Sequence, residues 1–288
     1  MKTLSLLRKI VSLVILSFVF TACVKDRDPK NKQPGITFYA LAGNKLDKFS
    51  TSNPEKIINS ANITGLQSGE KIAGIDFRPA TGELYGLGSN SRLYVINPSS
   101  GVATFVAALT TVPAGGTTAV PLALSGTSFG FDFNPVVDRI RIVSNTGQNL
   151  RAHPTTGVTI VDGSISPQPA SVNGVAYDEN FPGTTATELY ALSATTDQLF
   201  EIDPPNNGVL IEPLSIGQNI TGDGGFDIAP RNAFVTMDIG LGLYQIDNKS
   251  TLFEIDVETG KTKVLARYDK SVYSGIAISP VAETKKYK

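Results

Sequence analysis

Three aspartates occupy the same position in a short segment that the sequence repeats. They are Asp76, Asp132 and Asp227, and each follows a glycine by two residues, in AGIDFRP, FGFDFNP and GGFDIAP. Carboxylates gathered in one place could bind calcium or magnesium, because both ions prefer oxygen ligands. The same carboxylates could instead accept hydrogen bonds from backbone or arginine groups of neighbouring elements. The pattern leaves these two roles open.

A second polar group follows the second of these segments. It contains four further candidates for a ligand site, which are Arg139, Arg141, Asn149 and Arg151. A buried guanidinium needs a partner because an isolated buried charge is costly, and we expect Asp132 to be the partner of Arg141. The group is then either an ion-pair network between neighbouring elements or a pocket for a carboxylate, a phosphate or a sugar, which arginine binds well.

The aspartates belong to a repeat that predicts the architecture. The repeat begins at five glycines spaced 44 to 56 residues apart, namely Gly74, Gly130, Gly174, Gly225 and Gly275. Each of the first four glycines is followed by three further segments. These segments have alternating apolar positions and end in turn residues. Four antiparallel strands per repeat indicate the blades of a β-propeller. In the fifth blade we expect the second strand at residues 232–239, and residues 113–127 are an insertion before the third blade.

The two ends of the repeat region complement each other. The segment SGIAISP, residues 274–280, supplies a first strand alone, whereas residues 36–63 supply a second, third and fourth strand without a first. We expect them to form one composite blade that closes the ring and leaves no open sheet edge. The sequence thus predicts an all-β fold: a single propeller of five four-stranded blades over residues 36–281, followed by a charged tail at 282–288. An all-β sandwich or an open β-repeat array is the alternative.

In a propeller the first strands surround the central channel, so the three aspartates should converge there. Ala176 and Ala277 take the same position in the other two blades. No residue set in the sequence identifies a particular metal, and calcium is the cofactor that we consider for the aspartates.

The most specific stretch is GTSFGFDFNPVVDRIRIVSNTGQNLRAHPTTG, residues 126–157. Together with LYGLGSNSRLYVINPSSGVATFV before it and ELYALSATTDQLFEID after it, this stretch resembles a bacterial family of domains of unknown function, DUF4394. The resemblance covers most of residues 36–280 and implies a secreted or anchored propeller. The family has no established activity, so the resemblance assigns no catalytic residue.

Residues 1–22 are typical of a lipoprotein signal peptide. A positively charged start precedes an apolar run at residues 10–20, which is too short for a comfortable membrane span, and small residues lead into Cys23. The ending FTAC resembles the lipobox, in which the cysteine is lipidated. Residues 23–35 are polar and rich in breakers, as a flexible tether would be. We expect an outer-membrane lipoprotein of the bacterial cell envelope, on the periplasmic face or the cell surface, that contacts the membrane through its lipid.

Composition narrows the function classes. The chain has 25 Lys and Arg against 26 Asp and Glu, so no basic field for nucleic acid is present. His153 is the only histidine, which excludes a two-histidine zinc set, and its place before a turn predicts a structural role. The only cysteine is the expected anchor, and the sequence has no G-x-S-x-G, P-loop or dinucleotide-binding motif.

These observations favour a binding or interaction module that holds a glycan, a peptide or an envelope protein. The alternative is a hydrolase or lyase that depends on carboxylates or calcium and has its site at the central channel. A third hypothesis is a structural scaffold in an envelope assembly. The sequence leaves open the ligand, any reaction, the membrane leaflet and the oligomeric state.

Overall fold

The repeats fold into five antiparallel sheets of four strands each, which are the blades of a β-propeller. The computed structural model describes residues 35–167, 171–231 and 238–280. All regular structure in that part of the chain is β, and none of it is a helix that could cross a membrane. The predicted all-β class and the five blades are confirmed.

The blades follow one another in chain order. Blade 1 contains β1 (Thr37–Ala42), β2 (Lys45–Ser50) and β3 (Asn59–Asn62). Blade 2 contains β4 (Ile72–Phe77), β5 (Leu84–Gly88), β6 (Arg92–Ile96) and β7 (Ala103–Ala108). A hairpin of β8 (Thr110–Thr111) and β9 (Val120–Pro121) precedes blade 3, which contains β10 (Phe129–Asn134), β11 (Arg139–Ser144), β12 (Asn149–Ala152) and β13 (Thr159–Val161).

The last two blades have the same order of strands. Blade 4 contains β14 (Val172–Tyr177), β15 (Leu189–Ser193), β16 (Gln198–Ile202) and β17 (Leu210–Ser215). Blade 5 contains β18 (Gly224–Ile228), β19 (Ile239–Ile246), β20 (Lys249–Asp256) and β21 (Thr262–Tyr268). The last strand, β22 (Gly275–Ile278), completes blade 1.

Blade 1 is the composite blade that the sequence predicts. Strand β22 pairs antiparallel with β1, so that Tyr39 lies opposite Ala277 and Leu41 opposite Gly275. The innermost strand of this blade therefore comes from the opposite end of the repeat region. This pairing closes the ring.

Glycines allow the innermost strands of neighbouring blades to touch. A Cβ atom on Gly74 would lie 2.6 Å from Cβ of Phe131, and one on Gly130 would lie 2.7 Å from the backbone nitrogen of Val175. At Gly225 the same atom would lie 2.8 Å from the backbone of Gly275. Real Cβ atoms do not approach other atoms so closely. The repeated glycine is therefore a requirement of blade-to-blade contact.

The core is divided among the junctions between blades. Five hydrophobic clusters are present in the described residues, and each combines side chains from two consecutive blades. In the cluster between blades 3 and 4, for example, Val143 packs with Val172 and Val175. Both faces of the inner strands are therefore largely buried, as in β1 and β5, whereas outermost strands such as β7 and β17 are mostly exposed or half-buried.

The second strand of blade 5 differs from its predicted position. It occupies Ile239–Ile246, whereas the prediction was 232–239, of which residues 232–237 lie outside the described part. Gly240 and Gly242 weaken the strand pattern in the sequence. In the structure these two glycines make room for aromatic rings, because a Cβ atom would lie 2.5 Å from the Phe226 ring at the first and 2.3 Å from the Phe253 ring at the second.

We expect the substitution Gly225→Ala to destabilise the propeller by about 1–3 kcal/mol, because the added methyl group meets the backbone of blade 1, which cannot rotate away. Chemical denaturation monitored by circular dichroism measures the change.

Gly275→Ala is the matched control at the same position of another blade. There the nearest atom to the added Cβ is a side-chain carbon of Leu41 at 3.5 Å, an ordinary contact. Equal losses for the two variants would contradict the proposed contact between innermost strands.

Candidate functional site

The three aspartates lie together where the innermost strands of blades 2, 3 and 5 meet. Asp76 is on β4, Asp132 on β10 and Asp227 on β18, and each is at most 2% exposed. One carboxylate oxygen of each lies within 4.8 Å of those of the other two. We call these three residues the aspartate triad. The convergence expected from the repeat is present.

Each triad carboxylate accepts a hydrogen bond from the backbone of the next blade. Oδ2 of Asp76 accepts from the amide of Phe133 at 2.9 Å. Oδ2 of Asp132 accepts from the amide of Tyr177 at 2.8 Å. The third bond joins Asp227 Oδ2 to the amide of Ile278 at 2.5 Å and spans the junction at which the ring closes.

Alanine takes the aspartate position in blades 4 and 1, so the next blade receives no such bond there. At the junction between blades 1 and 2, the amide of Phe77 donates instead to Oδ1 of Asp76, its own neighbour in sequence, at 2.6 Å. Between blades 4 and 5, the amide of Ile228 lies near the carboxyl group of Asp227 and lowers its pKa slightly. The carboxylates thus bridge three of the five junctions, and Asp76 also accepts an amide of its own blade at the junction between blades 1 and 2.

Burial dominates the electrostatics of the triad. It raises the pKa of Asp227 to about 7, and the backbone amides offset only part of this rise. It also raises the pKa of Asp76 and that of Asp132 well above the usual range, and repulsion between the carboxylates adds to the effect. A hydrogen bond between the side chains of these two residues requires one shared proton. Ionising the whole triad therefore costs folding free energy.

One oxygen of the triad has no partner. Oδ1 of Asp227 is buried and accepts no hydrogen bond among the described residues. A buried carboxylate oxygen without a donor costs free energy comparable to a lost hydrogen bond to a charged group. Within the fold this oxygen is the part of the triad that is open to a ligand.

The repeated glycines line a narrow channel beside the triad. The channel has a volume of about 10 Å³ and is bordered by the five glycines and their neighbours, including Asn173. That volume holds about one water molecule. Gly74 and Asp76 lie two residues apart on the same face of their strand, so the channel lies one strand period away from the carboxylates. An ion or a water molecule fits in this narrow part, whereas a glycan or an ester does not.

The arginine candidates form a second network, between blades 3 and 4. Arg141 is 1% exposed, and its guanidinium donates to Oδ2 of Asp162 at 2.8 Å and to Oδ1 of Asn149 at 2.7 Å. It also donates to Oδ1 of Asn206 at 2.9 Å and to the hydroxyl of Tyr177 at 3.3 Å, both in blade 4. Four of the five guanidinium N–H groups thus donate to protein groups.

The expected partner of Arg141 was wrong. The carboxylate that it binds is that of Asp162, which follows the last strand of the blade, whereas Asp132 is held by the amide of Tyr177. A buried arginine requires a carboxylate partner. On that ground the sequence could have indicated Asp162, an acidic residue of the same blade.

The other two arginines are placed differently. Arg151 lies at the edge of the network and makes two hydrogen bonds to the carboxylate of Asp162, at 2.8 and 3.0 Å. Arg139 lies outside the network and donates to the carbonyl oxygens of Val137 and Asp138. The structure therefore brings together Arg141, Asn149 and Arg151 but not Arg139, in an arrangement that joins two blades.

His153 lies at the turn that follows β12. Its Nδ1 lies 3.2 Å from the amide nitrogen of Thr155 and accepts from it. Asn97 and Asp256 accept from turn amides in the same way in blades 2 and 5. The structural role expected for the histidine agrees with this geometry.

Sequence reasoning missed an acidic groove on blade 4 and the adjoining turn of blade 5. The groove has a volume of about 420 Å³, and its walls are formed by Glu188, Tyr190, Leu199, Phe200, Glu201, Glu212, Leu214, Val257 and Glu258. Glu201 is on β16 and Glu212 on β17, whereas Glu188 lies just before β15 and Glu258 in the turn after β20. The four glutamates are far apart in sequence, so their common face appears only once the chain is folded.

The glutamates of the groove have no positively charged partner. Within the described residues, no lysine or arginine forms an ion pair with any of the four. Tyr190 donates its hydroxyl hydrogen to Oε2 of Glu188 at 2.9 Å. Burial raises the pKa of Glu201, and the negative charges of Glu188 and Glu212 raise it further. The groove therefore concentrates negative charge beside an aromatic ring.

We expect Arg141→Met to destabilise the protein by about 3 kcal/mol or more, because it leaves Asn149 and Asn206 without their donor inside the protein. Arg151→Met removes a charge from the same carboxylate, but that side chain is 29% exposed, and we expect a loss below about 1 kcal/mol. Urea unfolding distinguishes the two. Similar losses, or a fully stable Arg141→Met protein, would argue against a structural network.

Comparison with solved structures supports the propeller fold. A chain in the crystal structure of a nidogen/laminin complex is 10% identical over 85% of this chain and 98% of that chain, with a TM-score of 0.51. A chain of the mitotic checkpoint complex is 12% identical over 95% of this chain and 94% of that chain, with a TM-score of 0.45. The WD40 repeats of RRP9 are 12% identical over 70% of this chain and 52% of that chain, with a TM-score of 0.43. Of these three likenesses, only the first reaches a TM-score of 0.5, and at 10% identity it concerns the fold alone.

Sequence comparison identifies the family. No curated protein matches the chain. The model of the family described as domain of unknown function (DUF4394) matches residues 45–277, which include the innermost strands of all five blades. The resemblance found in the sequence is confirmed, and the chain belongs to the DUF4394 family.

Proposed function

We propose that this protein is an exported, lipid-anchored binding module of the bacterial cell envelope, and that its acidic groove binds a cationic segment of a partner protein. The observation that carries the proposal is the set of four glutamates without a basic partner, gathered around Tyr190 in a groove of about 420 Å³. Ligand pockets commonly have volumes in this range.

The charge pattern favours a lysine or arginine side chain as the bound group. The carboxylates around Glu201 repel one another, and this repulsion raises its pKa. An incoming cation removes the repulsion and gains charge-assisted hydrogen bonds. The ring of Tyr190 adds a face over which a cation can lie. A neutral glycan would relieve none of the repulsion.

The aliphatic wall of the groove suits the stem of the same side chains. Leu199 and Leu214 lie opposite each other on β16 and β17, and both border the groove. Lysine and arginine commonly pack their methylene groups on apolar surface while the charged end reaches polar groups. The groove thus matches both parts of a basic side chain.

The sequence before the propeller supports anchoring at a distance from the membrane. Cys23 precedes the start of β1 at Thr37 by 14 residues. An extended chain of that length reaches at most about 50 Å. A lipid on Cys23 would therefore hold the propeller at the membrane while leaving its faces accessible to a partner.

We expect a labelled hexalysine peptide to bind the protein saturably, and the double substitution Glu188→Gln with Glu201→Gln to weaken this binding about tenfold, or about 1.4 kcal/mol. Fluorescence anisotropy measures the affinity. Raising the salt concentration from about 0.05 to about 0.3 M should weaken it further, because salt screens exposed charges.

The matched control is Glu55→Gln with Glu83→Gln, which makes the same change of net charge at exposed positions outside the groove. Equal weakening in both double variants would indicate attraction to net charge and would contradict binding in the groove. A hexaglutamate peptide that binds as tightly as hexalysine would contradict it as well.

We expect Cys23→Ala to prevent incorporation of labelled palmitate and to move the protein from the membrane fraction to the soluble fraction, because the lipid is the only anchor proposed. Metabolic labelling and fractionation of the expressing bacterium measure both effects, with Val24→Ala as the control. Retention of Cys23→Ala in washed membranes would contradict lipid anchoring.

A further inference from the structure

We propose that the aspartate triad is a binding site for one calcium ion, held on the channel by Asp76, Asp132 and Asp227. The site is independent of the acidic groove and of the membrane anchor. Three observations carry the proposal: the spacing of the carboxylates, the buried oxygen without a partner, and the shape of the channel beside them.

The spacing of the carboxylates suits calcium. Three oxygens that lie at most 4.8 Å apart all lie within about 2.8 Å of some common point between them. Calcium binds oxygen at about 2.3–2.6 Å, so small side-chain shifts complete the contact, whereas magnesium at about 2.0–2.1 Å requires the triad to contract further. The absence of nitrogen and sulfur ligands in the triad makes zinc unfavourable.

The triad lacks a compensating charge within the described residues. No lysine or arginine there forms an ion pair or a hydrogen bond with any of the three carboxylates. Oδ1 of Asp227 is buried without a hydrogen-bond partner. Buried charges are normally paired or coordinate a metal. A cation in the triad supplies the missing charge and a partner for this oxygen.

The backbone holds the carboxylates in place for an ion. The Oδ2 atoms of all three accept amide hydrogens of the next blade, which fixes the plane of each carboxylate. Such outer hydrogen bonds orient the ligands of metal sites in general. The Oδ1 atoms of Asp132 and Asp227 accept no amide hydrogen of the next blade, so a cation can bind them without breaking the bonds between blades.

The channel selects for size. Its volume of about 10 Å³ admits a dehydrated ion or one water molecule, and the glycines on its walls place no side chain in the path. Ligands larger than this are therefore excluded from the channel.

The test is equilibrium dialysis of the chelator-treated protein against radioactive calcium, with thermal unfolding in parallel. We expect one calcium per chain, with a dissociation constant at or below about 1 mM, the range of extracellular calcium modules. Calcium should raise the melting temperature by several degrees, and chelator should reverse the rise. Magnesium at the same concentration should have a smaller effect.

The variants Asp227→Asn and Asp132→Asn distinguish calcium binding at the triad from calcium binding at the protein surface. Each keeps the shape of the side chain and removes one charge, and we expect each to weaken calcium binding at least tenfold. Asp227→Asn should also raise the melting temperature of the calcium-free protein, because it removes the cost of a buried charge. The control Asp269→Asn, at an exposed ion pair with Lys249, should change neither the calcium affinity nor the melting temperature.

Two outcomes overturn the proposal. The first is no saturable calcium binding by the wild-type protein at concentrations of about 1 mM. The second is binding that persists undiminished in the triad variants. If one triad variant does not fold, the other and the reversible effect of chelator on the wild-type protein still decide the question.

Discussion

The structure depends on how closely its five innermost strands approach one another. At Gly74, Gly130 and Gly225 the strand of the next blade lies where a side chain would be, so the ring is drawn together around a channel of about 10 Å³. Side chains two residues further along are consequently buried together. The triad, its bonds to the amides of the next blade and its raised pKa values all follow from this contact.

Three sets of carboxylates in this protein differ in their burial and in their hydrogen-bond or ion-pair partners. The carboxylate of Asp162 is paired with two arginines of its own blade, one of which, Arg141, also donates to blade 4. The triad carboxylates are buried with amides as their donors, which hold them in place but do not neutralise them. The glutamates around Glu201 are partly solvated and unpaired. Only the last two sets remain available to a ligand, and the surroundings of each determine its class: a bare ion in the channel and a basic side chain in the groove.

The sequence specified the blades because turn residues and alternating apolar positions are local signals, and it specified the composite blade because the two incomplete repeats complement each other. Contacts between blades were harder to predict. The second strand of blade 5 was misplaced because a glycine such as Gly240 usually indicates the end of a strand. Here the glycine makes room for the ring of Phe226, which the sequence does not show. Asp162 was missed as the partner of Arg141, and the groove was missed, because both depend on which faces meet after folding.

The pairing of β22 with β1 has a consequence for the order in which the protein folds. Residues 38–41 leave the ribosome first, yet their partners at 275–278 come more than 230 residues later. Until that strand arrives, β1 presents an unpaired edge that could pair with another chain. Such long-range pairing slows folding. The nascent chain would therefore need protection from aggregation at this edge until its last blade has been synthesised.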